Sequence, residues 1–252
     1  MEIPGFTAGT GSLLVVAPVI GSFLGVLIRR LPEGRLLVWS RSQCESCHAA
    51  LTARDLVPVL SWLAWAGRCR RCGSVLGWFY PGVELAALAI AVIAVAVDGM
   101  PRALLDCVLG WWLLALAWID LRSWLLPDLL TLPLIVAGLV VAAPGDPEKL
   151  VDRALGAALG YLVLEAIAAA YRFLRKAEGL GGGDAKLLAA AGAWVGATAL
   201  PQVILEAALC ALAVAGMLRL RGVRLTARSP LPFGPFIAIA SWGIWLFGAI
   251  SF

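Results

Sequence analysis

The chain has 252 residues, 62% of them hydrophobic and only 14% charged, with a mean hydropathy of +0.92 and a net charge of +4. An ordinary soluble domain carries more charge on its surface. Apolar runs of about 17–22 residues match helices that cross a ~30 Å hydrocarbon core, and they lack the period-two alternation of membrane barrel strands, so we expect an all-α polytopic membrane protein.

Eight transmembrane helices are expected, at 9–28, 81–98, 103–121, 127–144, 151–171, 185–200, 202–218 and 233–251. No Lys or Arg precedes Arg29, and no small-residue cleavage site follows the first run. It therefore reads as a retained span rather than a signal peptide, with the N-terminus outside. The polar segment at 30–80 is then cytoplasmic. On this topology every Lys and Arg except Arg102, Lys149 and Arg153 falls on the cytoplasmic side, as the positive-inside rule requires. Those cations sit beside spans, where anionic lipid and insertion bias account for them. Lipid is an expected partner and nucleic acid is not. The implied organisation is a first helix (1–29), a small cytoplasmic domain (30–80) and a seven-helix membrane domain (81–252).

The polar segment holds Cys44-Glu-Ser-Cys47 and Cys69-Arg-Arg-Cys72. Two C-x2-C knuckles each set two thiolates on a small turn, and together they complete a tetrahedral zinc site. Disulfides are disfavoured in a reducing cytosol. A closed four-sulfur shell leaves no open position for water, so the metal is structural, and His48, the single histidine, competes only as a fifth donor. Leu60, Trp62, Leu63 and Trp65 are expected to pack a mini-core between the knuckles. Cys107 and Cys210 lie in apolar spans and read as small buried hydrophobes.

Acids near the hydrocarbon are costly, and each is a functional-site hypothesis. Asp120 ends the third span. Its bland reading is a membrane-edge residue paired with Arg122 or capping the next helix. Asp128 follows Pro127, where an acid at a helix start favours the dipole. Asp184 follows Gly181-Gly182-Gly183, a turn whose glycines admit close backbone approach. Asp184 also reads as the N-cap of the sixth span. Lys186 snorkels to headgroups or pairs with an acid. Glu84 and Glu206 are further membrane acids. If Asp120 and Asp184 meet, the pair holds one proton between them. One carboxylate then activates water while the other protonates the scissile carbonyl.

These blocks resemble the type IV prepilin peptidases, the leader peptidase/N-methyltransferases of type IV pilus and type II secretion systems. The likeness runs nearly end to end, through GSFLGVLIRRLP at 21–32, both knuckles, YPGVE at 80–84, LLPDLLTLP at 125–133, GLGGGDAKLLAAAGAW at 179–194 and LPFGPF at 231–236. The resemblance implies a GxGD-type intramembrane aspartyl protease of the bacterial inner membrane with both termini outside. Asp120 and Asp184 are then the catalytic pair, Gly181 and Gly183 form the GxGD turn, and Asp128 is supporting. It implies cleavage of prepilins or pseudopilins after a glycine at the cytoplasmic face, then N-methylation of the new N-terminus with S-adenosylmethionine. The family links its cysteine-bearing domain to methylation. Glu84 is expected to line the substrate path. Glu45 stands where many members have proline, a change in knuckle stiffness rather than in ligation. Two competing readings are an ion- or proton-coupled transporter that uses the membrane acids as a relay, and a scaffold whose zinc segment binds a secretion partner.

Overall fold

The computed structural model describes residues 8–34, 42–144, 146–176, 181–223 and 231–249. Arg35, Arg41, Gly179, Arg224, Arg228 and the side chain of Arg175 lie outside the described residues. The helices are α1 (Ala8–Arg30), α2 (Leu60–Ala64), α3 (Phe79–Asp98), α4 (Arg102–Ser123), α5 (Asp128–Ala142), α6 (Pro147–Arg175), α7 (Gly182–Val195), α8 (Leu200–Leu220) and α9 (Gly234–Phe247), with a 3-10 turn at Ala53–Leu56. Each expected span is thus a helix. Five of them, α1, α3, α4, α6 and α8, are long and apolar enough to cross a membrane. The other three, α5, α7 and α9, have 15, 14 and 14 residues, short of the ~20 a full crossing uses. Their ends have local causes. Pro127 opens α5, and Gly196 (φ 92°) and Gly248 (φ 80°) end α7 and α9 in a conformation that other residues rarely adopt. The sixth span therefore stops at Val195, not at residue 200.

The chain forms two compact units, Met1–Ala115 and Leu116–Phe252, divided within α4. In the first unit α1 packs on α3 through Gly21 and Gly25. A Cβ at Gly21 would lie 2.6 Å from the Glu84 Cα, and one at Gly25 2.7 Å from the Tyr80 ring. This small-xxx-small spacing lets two helix backbones approach closely where no hydrophobic force drives them together. The Trp111 indole of α4 donates to the Ala87 carbonyl of α3 at 2.9 Å, which satisfies a polar atom that burial would otherwise penalise.

The second unit is built around α7. Residues Ala185 and Leu187–Trp194 of this helix are all buried, in keeping with a sequence that is apolar on every face. Helix α6 reaches it through Gly156 and Gly160. A Cβ on Gly160 would come within 2.5 Å of the Leu188 carbonyl oxygen, and Gly156 faces Gly192 with no room for a side chain on either. Helix α5 meets the other side of α7 at Gly138, where a Cβ would lie 2.7 Å from the Ala193 carbonyl oxygen. The Trp194 indole donates to the Leu134 carbonyl at 2.9 Å, and its ring meets Trp245 of α9 edge-on. Glycine contacts from α6 and α5 and a tryptophan pair with α9 thus fix the helix that begins at the glycine turn.

Candidate active site and metal centre

The final turn of α4 carries Asp120, which is 5% exposed. The chain then leaves the helix at Trp124, whose φ of 57° is left-handed and whose amide returns to the Asp120 carbonyl at 2.9 Å. Pro127 follows as the N-cap of α5, and Asp128 lies in its first turn. The starts of α5 and α7 are fastened side by side. The Lys186 ammonium meets an Asp128 carboxylate oxygen at 2.5 Å, so Lys186 takes the acid rather than headgroups. Gly183 packs so closely on Leu126 that a Cβ would lie 2.8 Å from its side chain.

Asp184 is not the N-cap of its helix. That position belongs to Gly181, and α7 starts at Gly182. The flexible glycines let the helix begin two residues before the acid, so Asp184 sits in the first turn with its amide bonded to the Gly181 carbonyl at 3.1 Å. Its side chain is half-buried and reaches back to the Gly181 amide, from the third helical position rather than as the N-cap itself. The Asp120 carboxyl lies within electrostatic reach of it. Asp120 does not cap the next helix, α5, whose N-cap is Pro127; its Oδ2 accepts the backbone amide of Gly234, at the start of α9, at 3.0 Å. Gly181 and Gly182 face open space, with only the Asp184 carboxylate within 4 Å of a Cβ on Gly181 and nothing within 4 Å of one on Gly182. The turn thus presents bare backbone beside two acids.

In the first unit the four cysteine sulfurs lie within 4.8 Å of one another. The knuckles are built alike. The Cys44 amide bonds the Ala49 carbonyl and the His48 amide bonds the Cys44 carbonyl; in the second knuckle Cys69 pairs in the same way with Ser74, and Gly73 with Cys69. Gly73 (φ 71°) and His48 (φ 54°) take the same left-handed position after the second cysteine. His48 therefore turns the chain and is not one of the clustered ligands. The amides of Cys47 and then Ser46 bond the Cys44 sulfur and draw its thiol down to about 6 from an ordinary 9. The expected mini-core is not formed. Leu60, Leu63 and Trp65 are exposed, and only Trp62 packs, against Gly67 and the Trp78 ring. A polar segment this short has too little apolar surface to build a core, which leaves the thiolate cluster as its organising centre.

Glu84, in α3, is buried, and its Oε2 accepts the Val59 amide at 2.7 Å. The Ser22 hydroxyl of α1 also bonds it. Glu84 thereby ties the cysteine segment to two helices. Above it lies a cavity of about 500 Å³ lined by Arg29, Asp55, Trp62, Trp65, Tyr80 and Glu84 among others. Cys107 is buried as expected, whereas Cys210 is exposed on α8. Glu206 accepts from Gln202 one turn earlier on α8. A sequence reading passes over Asp106, which is wholly buried in α4, because one acid inside a long apolar run has no motif around it.

Five helices long and apolar enough to span a bilayer, two aspartates at neighbouring helix ends and a separate four-cysteine cluster define a multi-pass membrane protein. The chain matches the "Bacterial Peptidase A24 N-terminal domain" over residues 15–97 and the "Type IV leader peptidase family" over residues 107–216. It is 41% identical to the prepilin leader peptidase/N-methyltransferase of Burkholderia pseudomallei (strain 1026b), across 93% of this chain and 84% of that protein. It is 40% identical to the proteins of the same name from Aeromonas salmonicida (strain A449), across 91% and 88%, and Dickeya chrysanthemi, across 91% and 89%. No solved structure matches. The chain belongs to the type IV leader peptidase family. Nothing in these relatives supports the transporter reading.

Proposed function

We propose that Asp120 and Asp184 are the paired carboxyl groups with which this member of the type IV leader peptidase family hydrolyses the prepilin leader. The observation that carries the reading is their placement: Asp120 lies in the last turn of α4 and Asp184 in the first turn of α7, both in the second unit, and the Asp120 charge is felt at Asp184. Two such groups share one proton. The ionised carboxylate takes a proton from water as the oxygen attacks the scissile carbonyl, and the protonated partner gives its proton to the carbonyl oxygen. As the tetrahedral intermediate collapses, the carboxyl that took the water proton passes it to the departing amine of the mature N-terminus, and the other carboxylate takes a hydroxyl proton back, so the C–N bond breaks and the shared proton is restored. The open faces of Gly181 and Gly182 suit an extended substrate backbone. Gly183, against Leu126, and the Lys186–Asp128 pair hold the two helix starts in register.

A helix of 14 residues is about 21 Å long, so α7 cannot reach both faces of the bilayer, and one of its ends lies within the hydrocarbon. With the acid end at the cytoplasmic side, where the basic residues concentrate, the basic leader of a prepilin or pseudopilin sits outside the hydrocarbon and its apolar helix inside it. The protein is then an inner-membrane enzyme with both termini outside, the cysteine domain (30–80) cytoplasmic, and lipid rather than nucleic acid around its spans.

The metal we propose is zinc, held by Cys44, Cys47, Cys69 and Cys72. Tetrahedral zinc with ~2.3 Å bonds sets sulfurs ~3.8 Å apart, and the Cys44 and Cys72 sulfurs lie 3.9 Å apart. Its chemistry there is structural. The proposed methyl donor is S-adenosylmethionine. The cavity beside the cysteine centre has a suitable volume, with Trp62, Trp65 and Tyr80 offering faces for a purine or a sulfonium and Asp55 and Glu84 offering carboxylates.

The test is mass analysis of a detergent-solubilised prepilin incubated with the purified protein and S-adenosylmethionine. Leader removal and a methyl gain are expected. Asp120→Asn and Asp184→Asn should each block leader removal with unchanged thermal unfolding. A leader still removed by both variants would reject the dyad.

A further inference from the structure

The first turn of α9 has few amides to offer. Pro235 carries no N–H, and the amides of Phe236 and Ile237 both bond the Phe233 carbonyl, at 3.1 and 3.2 Å. The Gly234 amide is therefore the first-turn donor that remains, and it is spent on the Asp120 Oδ2 at 3.0 Å. The same residue is fitted to the carboxyl sterically. A Cβ at Gly234 would lie 2.7 Å from Oδ2 and 3.1 Å from Cγ of Asp120. The sequence Phe233-Gly234-Pro235 thus concentrates one donor at the acid and leaves the acid room.

We propose that Gly234 is a positioning residue for Asp120, fixing the rotamer of its carboxyl by one amide hydrogen bond and by the absence of a side chain. With Oδ2 committed to the amide, Oδ1 is the oxygen that meets water and substrate. This assignment rests on the reading of Asp120 as catalytic. Gly234 itself touches neither substrate nor the reacting atoms, and its effect is on the geometry of the attack. A displacement of the carboxyl approaching 1 Å costs about 10²-fold in rate while leaving the surfaces that bind substrate in place.

Two arms test it on the full-length protein in detergent. In the kinetic arm, Gly234→Ala should lower kcat for leader cleavage by about 10²-fold with KM little changed. Gly243→Ala, on the same helix with nothing within 4 Å of the new methyl group, should retain the wild-type rate. Wild-type kcat in Gly234→Ala, or an equal loss in Gly243→Ala, overturns the proposal. Asp120→Ala separates the two readings. If it still cleaves, the dyad itself falls; if it is inactive while Gly234→Ala is fully active, only the positioning role falls.

The spectroscopic arm needs no folded Gly234→Ala. Carbonyl-labelled phenylalanine combined with nitrogen-labelled glycine selects Phe-Gly pairs, which occur only at 233–234 and 247–248. The Gly248 amide bonds the Ile244 carbonyl at 2.9 Å at the far end of α9 and serves as the internal reference. Asp120→Ala should move the Gly234 amide resonance and leave the Gly248 resonance in place. A Gly234 signal that does not move shows that no bond to Asp120 exists and overturns the proposal.

Discussion

Replacing Gly160 by alanine probes how α7 is held. The new Cβ would lie 2.5 Å from the Leu188 carbonyl oxygen and 2.8 Å from its carbon. Both are backbone atoms and cannot rotate aside. Ordinary contact begins at 3.4 Å, so α6 and α7 must part locally by about 0.9 Å. Leu188 lies one helical turn beyond Asp184, and the strain reaches that acid directly. Overpacking of this kind costs about 1–3 kcal/mol, and displacement of a catalytic group by nearly 1 Å costs about 10²-fold in rate. We therefore expect Gly160→Ala to lower both the Tm and the kcat for leader cleavage. Gly216→Ala, on α8 with nothing within 4 Å, should change neither. The assay is initial-rate cleavage of a purified prepilin, with thermal unfolding in the same detergent. Wild-type rate and Tm in Gly160→Ala would refute the claim that this glycine contact sets the position of α7.

Metal analysis of the purified protein should give about one zinc per chain, lost in a Cys44→Ser, Cys69→Ser double variant; a metal-free wild type that still folds would contradict the zinc reading. Because the Cys44 thiol is drawn down to about 6 from 9, its thiolate is favoured throughout that window and is lost as the pH falls through about 6. The Ala49 amide draws the Cys47 thiol of the same cluster down, but desolvation and the neighbouring thiols push it up to about 11, so zinc must displace protons to bind. Uptake by chelator-stripped protein should weaken progressively as the pH falls, and uptake that stays constant down to pH 4 would contradict it. Lys186→Met removes the partner of Asp128. The pair is partly exposed and worth about 0.2–1 kcal/mol, so the Tm should barely move while kcat declines as the two helix starts lose register. An unchanged kcat would limit Lys186 to the surface.

Much of the fold is legible in the sequence because insertion into lipid leaves a coarse signal. Runs of apolar length locate the eight helices longer than ten residues among the described residues, and the knuckle spacing locates the four-sulfur cluster. The aspartates stand out because the bilayer makes acids rare. Other features depend on a partner that the local sequence does not name. Gly156 and Gly160 form a readable small-xxx-small pair, but only the structure shows Gly192 and Leu188 against them. The N-cap reading of Asp184 fails because three consecutive glycines leave the helix start undetermined within a turn. The mini-core of Leu60, Leu63 and Trp65 fails because apolar residues near a membrane need not turn inward. His48 looks like a ligand by type, yet its left-handed φ gives it the place that Gly73 fills in the other knuckle. Gly234 is invisible as a partner of Asp120 because 113 residues separate them in the chain.

The measurement that bears most directly on the paired acids is a double-mutant comparison of leader cleavage. Groups that act as one unit are not additive: losing either costs about as much as losing both. Asp120→Asn, Asp184→Asn and the double variant should all fall to the same residual kcat with unchanged unfolding. Losses that multiply from the single variants to the double, or substantial cleavage in either single variant, would contradict a shared carboxyl pair.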